Sequence, residues 1–316
     1  MRIRIPFALL ASALACSLAT APANARARVF VASYGNDANP CTFGSPCKTF
    51  QVAVNVVDPG GEVTAIDSAG FGPINITKAV TITSPAGVEA GVVPAAGGDG
   101  VDISAGPSDA VVLRGLTMNG SSGGNNGIVF KSGASITIID CVLQNFLFEG
   151  ILLEPTSGTT SFVITNTIAA HNGSVGIYYL PPSGSATATG VIDHVTSIYN
   201  IDGIDIVTTN GGGATKVDIT NSIASNNNGD GIFVNNAAAA LTVSIDNTHM
   251  SGNTFEGIFG GPTPTVLLGR SVITENLNTG VLNGTSPNTF FSYGDNRINA
   301  NGTDVPTALS TTFKTQ

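Results

Sequence analysis

Short segments in which apolar and polar residues alternate make up most of the chain, and Gly, Asn and Pro separate them. Val217-Asp218-Ile219 and Val243-Ser244-Ile245 show the alternation, which has the period of a β-strand. No repeated unit contains a long apolar pattern with the roughly 3.6-residue period of a helix, so arrays of helical repeats are disfavoured. The pattern predicts an all-β chain of many short strands.

Two columns of residues recur at nearly constant spacing. Gly followed by an aliphatic residue returns every 23 to 28 residues, at Gly127-Ile128, Gly150-Ile151, Gly176-Ile177, Gly203-Ile204, Gly231-Ile232, Gly257-Ile258 and Gly280-Val281. Asn lies eight positions after a large apolar residue at Asn172, Asn200, Asn227, Asn253, Asn276 and Asn301. Units this short, each with several strands, predict a solenoid in which every unit packs on the next.

The physical solution for such units is a single-stranded parallel β-helix, in which equivalent strands stack about 4.8 Å apart. The aliphatic residue after each Gly is expected to point inward. The Gly is expected at a corner where a side chain would clash or where φ would have to be positive. The Asn column is expected to stack at equivalent turns and to hydrogen-bond along the stack.

The repeat resembles the right-handed parallel β-helix of the pectate-lyase-like superfamily over about residues 110 to 301, in units such as 219–227 followed by Gly231-Ile232. The start of the chain, with Gly35-Asn36-Asp37 and two Pro-Cys pairs, resembles the N-terminal part of secreted β-helix proteins. The resemblance implies a short capping helix, here 48–56, before a strand near Glu62. The superfamily includes lyases, hydrolases, epimerases, adhesins and non-catalytic proteins, so the fold alone does not define a reaction.

The N-terminal segment has the features of a secretory signal peptide. Arg2 and Arg4 precede an apolar run over 7–19, and two small-x-small cleavage sites follow within 23–27. We therefore predict a signal peptide at 1–27, an N-terminal cap region at 28–61, a β-helix at 62–316, and secretion or export to the periplasm. The alternative for this segment is lipid attachment at Cys16.

Cys41 and Cys47 bracket a short loop that contains Gly44 and Pro46. This spacing favours a disulfide, as expected in an oxidising compartment, over a metal site that would need further ligands nearby.

The chain is acidic, with 12 Lys and Arg residues, 21 Asp and Glu residues and a formal charge of −9. That balance excludes a nucleic-acid partner, and no apolar run is long enough to span a membrane.

Carboxylates occupy the position before the corner Gly in several units, at Asp202, Asp230 and Glu256. Stacked carboxylates repel each other unless one is protonated, water screens them or a cation bridges them. The column is therefore a candidate for Ca²⁺ binding or for paired-acid catalysis, and otherwise a row of solvated turn residues that splay apart. No other cofactor is predicted.

The segment 200–205 (Asn-Ile-Asp-Gly-Ile-Asp) resembles one motif of polygalacturonase-type glycoside hydrolases. That resemblance implies catalytic roles for Asp202 and for Asp230 on the next coil. The chain lacks the rest of the pattern: it has no Asp-Asp pair, Phe255-Glu256-Gly257 stands where the family has Gly-His-Gly, and no Arg-x-Lys follows. A hydrolase is therefore supported by one partial motif.

An outward-facing stripe offers a different kind of site. The residue after each inward aliphatic is expected to point away from the core, and this stripe contains Val129, Leu152, Tyr178, Asp205, Phe233 and Phe259. An exposed aromatic stripe could stack against sugar rings or a partner, unless neighbouring loops cover it. We predict a secreted protein that engages polysaccharide or cell-envelope material along one sheet, with no support for catalysis. The alternatives are a glycoside hydrolase and a non-catalytic adhesive solenoid.

Overall fold

The computed structural model describes residues 26–182, 187–208, 213–236, 240–284 and 289–310. Most of the predicted signal peptide, including Cys16, lies outside these residues. The described part contains one helix and 30 strands, and the strands form three sheets of 11, 10 and 9 strands. No described helix has the length and apolar character needed to cross a bilayer. The predicted all-β parallel solenoid is confirmed.

Each of the three sheets is built from equivalent strands of successive units. Sheet 1 contains β1 (Arg28–Val31), β2 (Gly61–Ala65), β5 (Val80–Thr83), β8 (Ala110–Arg114), β11 (Ser135–Ile139), β14 (Thr159–Thr165), β17 (Thr187–Asp193), β20 (Thr215–Thr220), β23 (Leu241–Asp246), β26 (Thr265–Gly269) and β29 (Phe290–Ser292). Sheet 2 contains β3 (Ala69–Gly70), β6 (Ala90–Val92), β9 (Leu116–Asn119), β12 (Val142–Gln144), β15 (Ile168–Ala170), β18 (Thr196–Ile198), β21 (Ile223–Ser225), β24 (His249–Ser251), β27 (Val272–Thr274) and β30 (Arg297–Asn299). Sheet 3 contains β4 (Ile74–Ile76), β7 (Val101–Ser104), β10 (Ile128–Ser132), β13 (Ile151–Leu153), β16 (Val175–Tyr179), β19 (Asp202–Thr208), β22 (Ile232–Asn236), β25 (Ile258–Gly260) and β28 (Val281–Asn283).

From β2 onward the chain visits sheets 1, 2 and 3 in turn, so three strands make one coil. Each strand pairs in parallel with the equivalent strand of the coils before and after it. The core runs through the centre of the coils. The aliphatic residues that follow the corner glycines are fully buried, as predicted, at Ile128, Ile151, Ile177, Ile204, Ile232, Ile258 and Val281.

The N-terminal cap agrees with the prediction in its main parts. Helix α1 spans Phe50–Val56, and its N-cap Thr49 accepts a hydrogen bond from the backbone N–H of Val52. Its buried face contacts strands β1, β2 and β4 at the N-terminal end of the solenoid. Cys41 and Cys47 form the predicted disulfide. The cap region also supplies β1, which extends sheet 1 by one strand.

The Asn column forms the predicted ladder. The backbone N–H and Nδ2 of Asn200 donate to Oδ1 of Asn227, at 3.0 and 3.4 Å. Asn227 donates in the same way to Oδ1 of Asn253, at 3.0 and 3.1 Å. Its Nδ2 also donates to the backbone carbonyl of Ser197. Because these amides are buried, the ladder satisfies polar groups that would otherwise lack the partners that water supplies in the unfolded chain.

Glycine is required at the corners because atoms of the next coil lie too close for a side chain. A Cβ at Gly203 would lie 2.4 Å from the carbonyl oxygen of Gly231 and 2.8 Å from Nδ2 of Asn227. None of the corner glycines has a positive φ, so that part of the expectation is wrong and the steric part is correct. The Asn ladder occupies the space that a side chain would need.

Replacing a ladder residue should destabilise the solenoid. Asn227→Ala should lower the free energy of unfolding by about 2 to 3 kcal/mol, because it leaves buried backbone and amide groups without partners. Asn75→Ala, at an exposed position of β4, is the matched control and should cost less than about 0.5 kcal/mol. Urea unfolding measures both. Equal losses in the two variants would contradict a stabilising ladder.

Candidate functional site

One column of side chains points outward along the whole of sheet 3. The strand registers join its members across the nine strands of the sheet: Asn75, Asp102, Val129, Leu152, Tyr178, Asp205, Phe233, Phe259 and Leu282. We call this set the outer column. The predicted stripe is therefore one continuous row, as the alternation of inward and outward residues requires.

The outer column is less exposed than predicted. Val129 is only 2% exposed and Asp205 only 6%, whereas Tyr178, Phe233 and Phe259 are half-buried. The rings of Phe233 and Phe259 stack with centroids 4.7 Å apart and an interplanar angle of 8°. Each ring therefore covers one face of the other, and the pair presents an apolar edge to the outside.

Asp205 interrupts the aromatic part of the column. It pairs in register with Tyr178 on β16 and with Phe233 on β22. Its Oδ1 is buried and has no hydrogen-bond partner among the described residues. Burial raises the pKa of Asp205 well above its usual range, and the charges of Asp202, Asp230 and Glu149 act in the same direction. Both effects favour the neutral form of the side chain.

The pKa of Tyr178 is shifted by the same environment. Burial, followed by the nearby charges of Asp205, Glu149 and Asp202, raises the pKa of Tyr178 to about 12. Its hydroxyl therefore stays protonated near neutral pH. An amphipathic ring and an acid share this part of the sheet.

The three acids before the corner glycines form a ladder of their own. The backbone N–H of Asp230 donates to Oδ1 of Asp202 at 2.6 Å, and the N–H of Glu256 donates to Oδ1 of Asp230 at 2.9 Å. Nδ2 of Asn278 donates to Oε1 of Glu256. Asp230 and Glu256 are buried, so the expectation of solvated acids that splay apart is wrong for these two residues.

A proton relieves the repulsion in this acid ladder. The pKa of Asp230 is raised to about 8, first by burial and then by the side chain of Glu256 and the charge of Asp202. Burial also raises the pKa of Asp202. The described residues contain no group of three or more His, Cys, Asp or Glu side chains placed to hold a metal ion. Ca²⁺ binding by Asp202, Asp230 and Glu256 therefore stays a prediction without geometric support.

The surroundings of sheet 3 are strongly acidic. Lys131 is the one basic residue in its nine strands, and it forms an ion pair with Asp102. Its pKa is raised chiefly by this hydrogen bond, with further contributions from the charges of Asp102, Glu154 and Asp99. The aromatic end of the outer column has no basic residue in its strands β16, β19, β22 and β25.

A row of exposed apolar residues lies at the corner between sheets 2 and 3, and sequence reasoning missed it. Its members are 46 to 73% exposed: Leu147, Phe148, Ile201, Phe255 and Leu277. We call this row the corner ridge. The signal was present, because these residues lie one or two positions after the ladder position of their own unit, and Phe148, Ile201 and Phe255 directly precede Glu149, Asp202 and Glu256. The ridge borders the acid ladder.

His194 and Arg270 occupy structural turns. They share a left-handed backbone conformation with Asn166, Asn221 and Asn247, with φ from 47° to 53°. His194 pairs with Asp193 at 2.7 Å, and Arg270 pairs with Asp246. These turns lie between sheets 1 and 2, so they supply no base or cation to the acids beside sheet 3.

The chain matches no protein-family model and no curated protein sequence. Among solved structures, pectate lyase Pel9A is similar over 90% of this chain and 77% of its own, with a TM-score of 0.63 and 18% identity. The chain has the pectate-lyase-like parallel β-helix fold. At this identity the likeness concerns the fold and not the reaction.

Two further solved structures are similar at lower scores. A rhamnogalacturonan lyase matches over 80% of this chain and 75% of its own, with a TM-score of 0.48 and 13% identity. The A-module of the mannuronan C-5 epimerase AlgE4 from Azotobacter vinelandii matches over 82% of this chain and 90% of its own, with a TM-score of 0.36 and 13% identity.

The acid ladder should make stability depend on pH. Between the ordinary value of 3.8 and about 8, folded Asp230 holds a proton that the unfolded chain has lost. The unfolded state then binds fewer protons, so stability falls as pH rises, by at most about 1.4 kcal/mol per pH unit for one proton. Urea unfolding over a pH series measures this slope.

Asp230→Asn should flatten the slope, because the amide keeps an acceptor for the N–H of Glu256 and carries no charge. Asp218→Asn, at an exposed position of β20, is the matched control and should leave the slope unchanged. The same slope in wild type and Asp230→Asn would show that Asp230 does not hold the proton.

Proposed function

We propose that this protein is exported and binds a polysaccharide along the outer column of sheet 3. The observation that carries the proposal is the run Tyr178, Asp205, Phe233 and Phe259, in which half-exposed aromatic side chains flank a carboxyl group with an unpaired oxygen. Carbohydrate sites combine apolar surface with a small number of placed polar groups. A polymer suits a face whose contacts repeat from coil to coil.

Two further features support this proposal. The Cys41–Cys47 disulfide fits the oxidising compartment that the predicted signal peptide implies. Pectate lyase Pel9A, whose fold this chain shares, acts on a polysaccharide according to its name. The corner ridge adds apolar surface beside the acid ladder, so the contact area can extend beyond the outer column.

The aromatic residues provide the test of binding. Tyr178→Ala combined with Phe233→Ala should weaken retention by an immobilised glycan about tenfold or more, because both remove apolar contact surface. Tyr34→Ala, at a 67% exposed position in the N-terminal cap region, is the control and should keep wild-type retention. Affinity electrophoresis through a panel of polysaccharides measures the effect. No retention by any of them would favour an adhesive or structural solenoid.

A glycoside hydrolase is the second candidate. The specific feature in its favour is the pKa of Asp230, raised to about 8 beside the carboxyl groups of Asp202 and Glu256, since acid catalysis needs one carboxyl that keeps its proton. Against it, the carboxylates of Asp202 and Asp230 already accept backbone N–H groups, a structural use that leaves less freedom for catalysis. We therefore place binding first.

Asp202→Asn separates the two candidates. The amide retains an acceptor for the N–H of Asp230, so the fold should survive. A hydrolase should lose its release of reducing ends from a glycan by a factor of about 100 or more. Release that persists in Asp202→Asn would exclude Asp202 as a catalytic group, and wild-type protein that releases none would leave binding alone.

A further inference from the structure

The environment of Asp205 has three features that together fit a cation. First, its Oδ1 is buried and has no partner among the described residues. Second, aromatic residues lie on both sides of it in register, Tyr178 on one coil and Phe233 on the next. Third, the four strands around it carry no basic residue. A buried acceptor without a donor is costly unless a ligand supplies one.

The orientation of the Phe233 ring is also suitable. Phe259 covers one face of Phe233 and lies on β25, on the far side of β22 from Asp205. The other face of Phe233 is therefore turned toward the coil that carries Asp205. Ammonium groups bind against aromatic faces, and a carboxylate beside the ring supplies the counter-charge.

We propose that the polysaccharide bound along sheet 3 carries free amino groups, and that an ammonium group of the glycan pairs with Asp205 between Tyr178 and Phe233. This inference rests on the proposed function and defines its ligand class. A polyuronate fits poorly, because the nearby acids Glu149 and Asp202 would repel its carboxylates. A neutral glycan would leave Oδ1 of Asp205 without a charged partner.

Binding should be coupled to loss of a proton. Burial and the charges of Asp202, Asp230 and Glu149 favour the neutral form of unliganded Asp205. An ammonium group stabilises the ionised form, so Asp205 should release its proton when the glycan binds. Calorimetry in buffers of different ionisation enthalpy detects this release as a buffer-dependent heat. A heat that is the same in all buffers would contradict a carboxyl that ionises on binding.

The main experiment compares glucosamine oligomers with the same oligomers after N-acetylation, at a pH where the free amines are protonated. Cello-oligomers and polygalacturonate serve as neutral and acidic probes. We expect the free-amine oligomers to bind at least about tenfold more tightly than the acetylated ones. Asp205→Asn should abolish this preference, so that the variant binds free-amine and acetylated oligomers with similar affinity.

Asp218→Asn removes the same charge from an exposed position of sheet 1 and should keep the preference. If it reduces the preference as much as Asp205→Asn does, the attraction is general and the assignment to Asp205 is wrong. Equal affinity for all neutral and amino oligomers would overturn the amine inference and leave glycan binding intact. Binding of a lysine-rich peptide without binding of any oligomer would overturn both.

Discussion

The buried Asn ladder is the interaction on which the rest of the structure depends. Each ladder amide links one coil to the next and to the backbone of an inner strand, as Asn227 does through Asn253 and Ser197. At Gly203 the carbonyl oxygen of Gly231 on the next coil and the amide of Asn227 leave no room for a side chain, so the corner residue must be glycine. The Gly column and the Asn column of the sequence therefore meet at the same crowded corner.

This constraint also explains the acid ladder. Once the coils are held in register, the residue before each corner glycine lies directly above its equivalent, within reach of the next backbone N–H. A carboxylate there accepts that N–H, as Asp202 and Asp230 do, and is buried by the same stacking. Retained protons then reduce the repulsion. Acids in register are thus part of the scaffold, even though their raised pKa values resemble those of catalytic groups.

The sequence predicts the features of this fold that arise from equivalent residues stacking on successive coils. Spacing of Gly-Ile pairs and of Asn residues is enough to predict the coils, the inward Ile204 and the ladder, because equivalent residues stack whatever the loops do. The burial of Asp205 and Glu256 and the exposure of Phe255 were not predictable in this way. They depend on how side chains of neighbouring columns pack at the corners, and no single column records that packing.

In a solenoid, residues that repeat in register and residues that break the repeat differ in what they indicate about function. Residues that repeat in register, such as Asp202, Asp230 and Glu256, have a structural use, because each accepts a hydrogen bond from the next coil. Asp205 departs from its column: it places a carboxyl group between aromatic residues, and, unlike Asp102 with Lys131, it has no ion-pair partner among the described residues. In a solenoid, a buried polar group that differs from its equivalents on the neighbouring coils has no matching group there to form a hydrogen bond with. In the proposed function, a ligand supplies its missing partner.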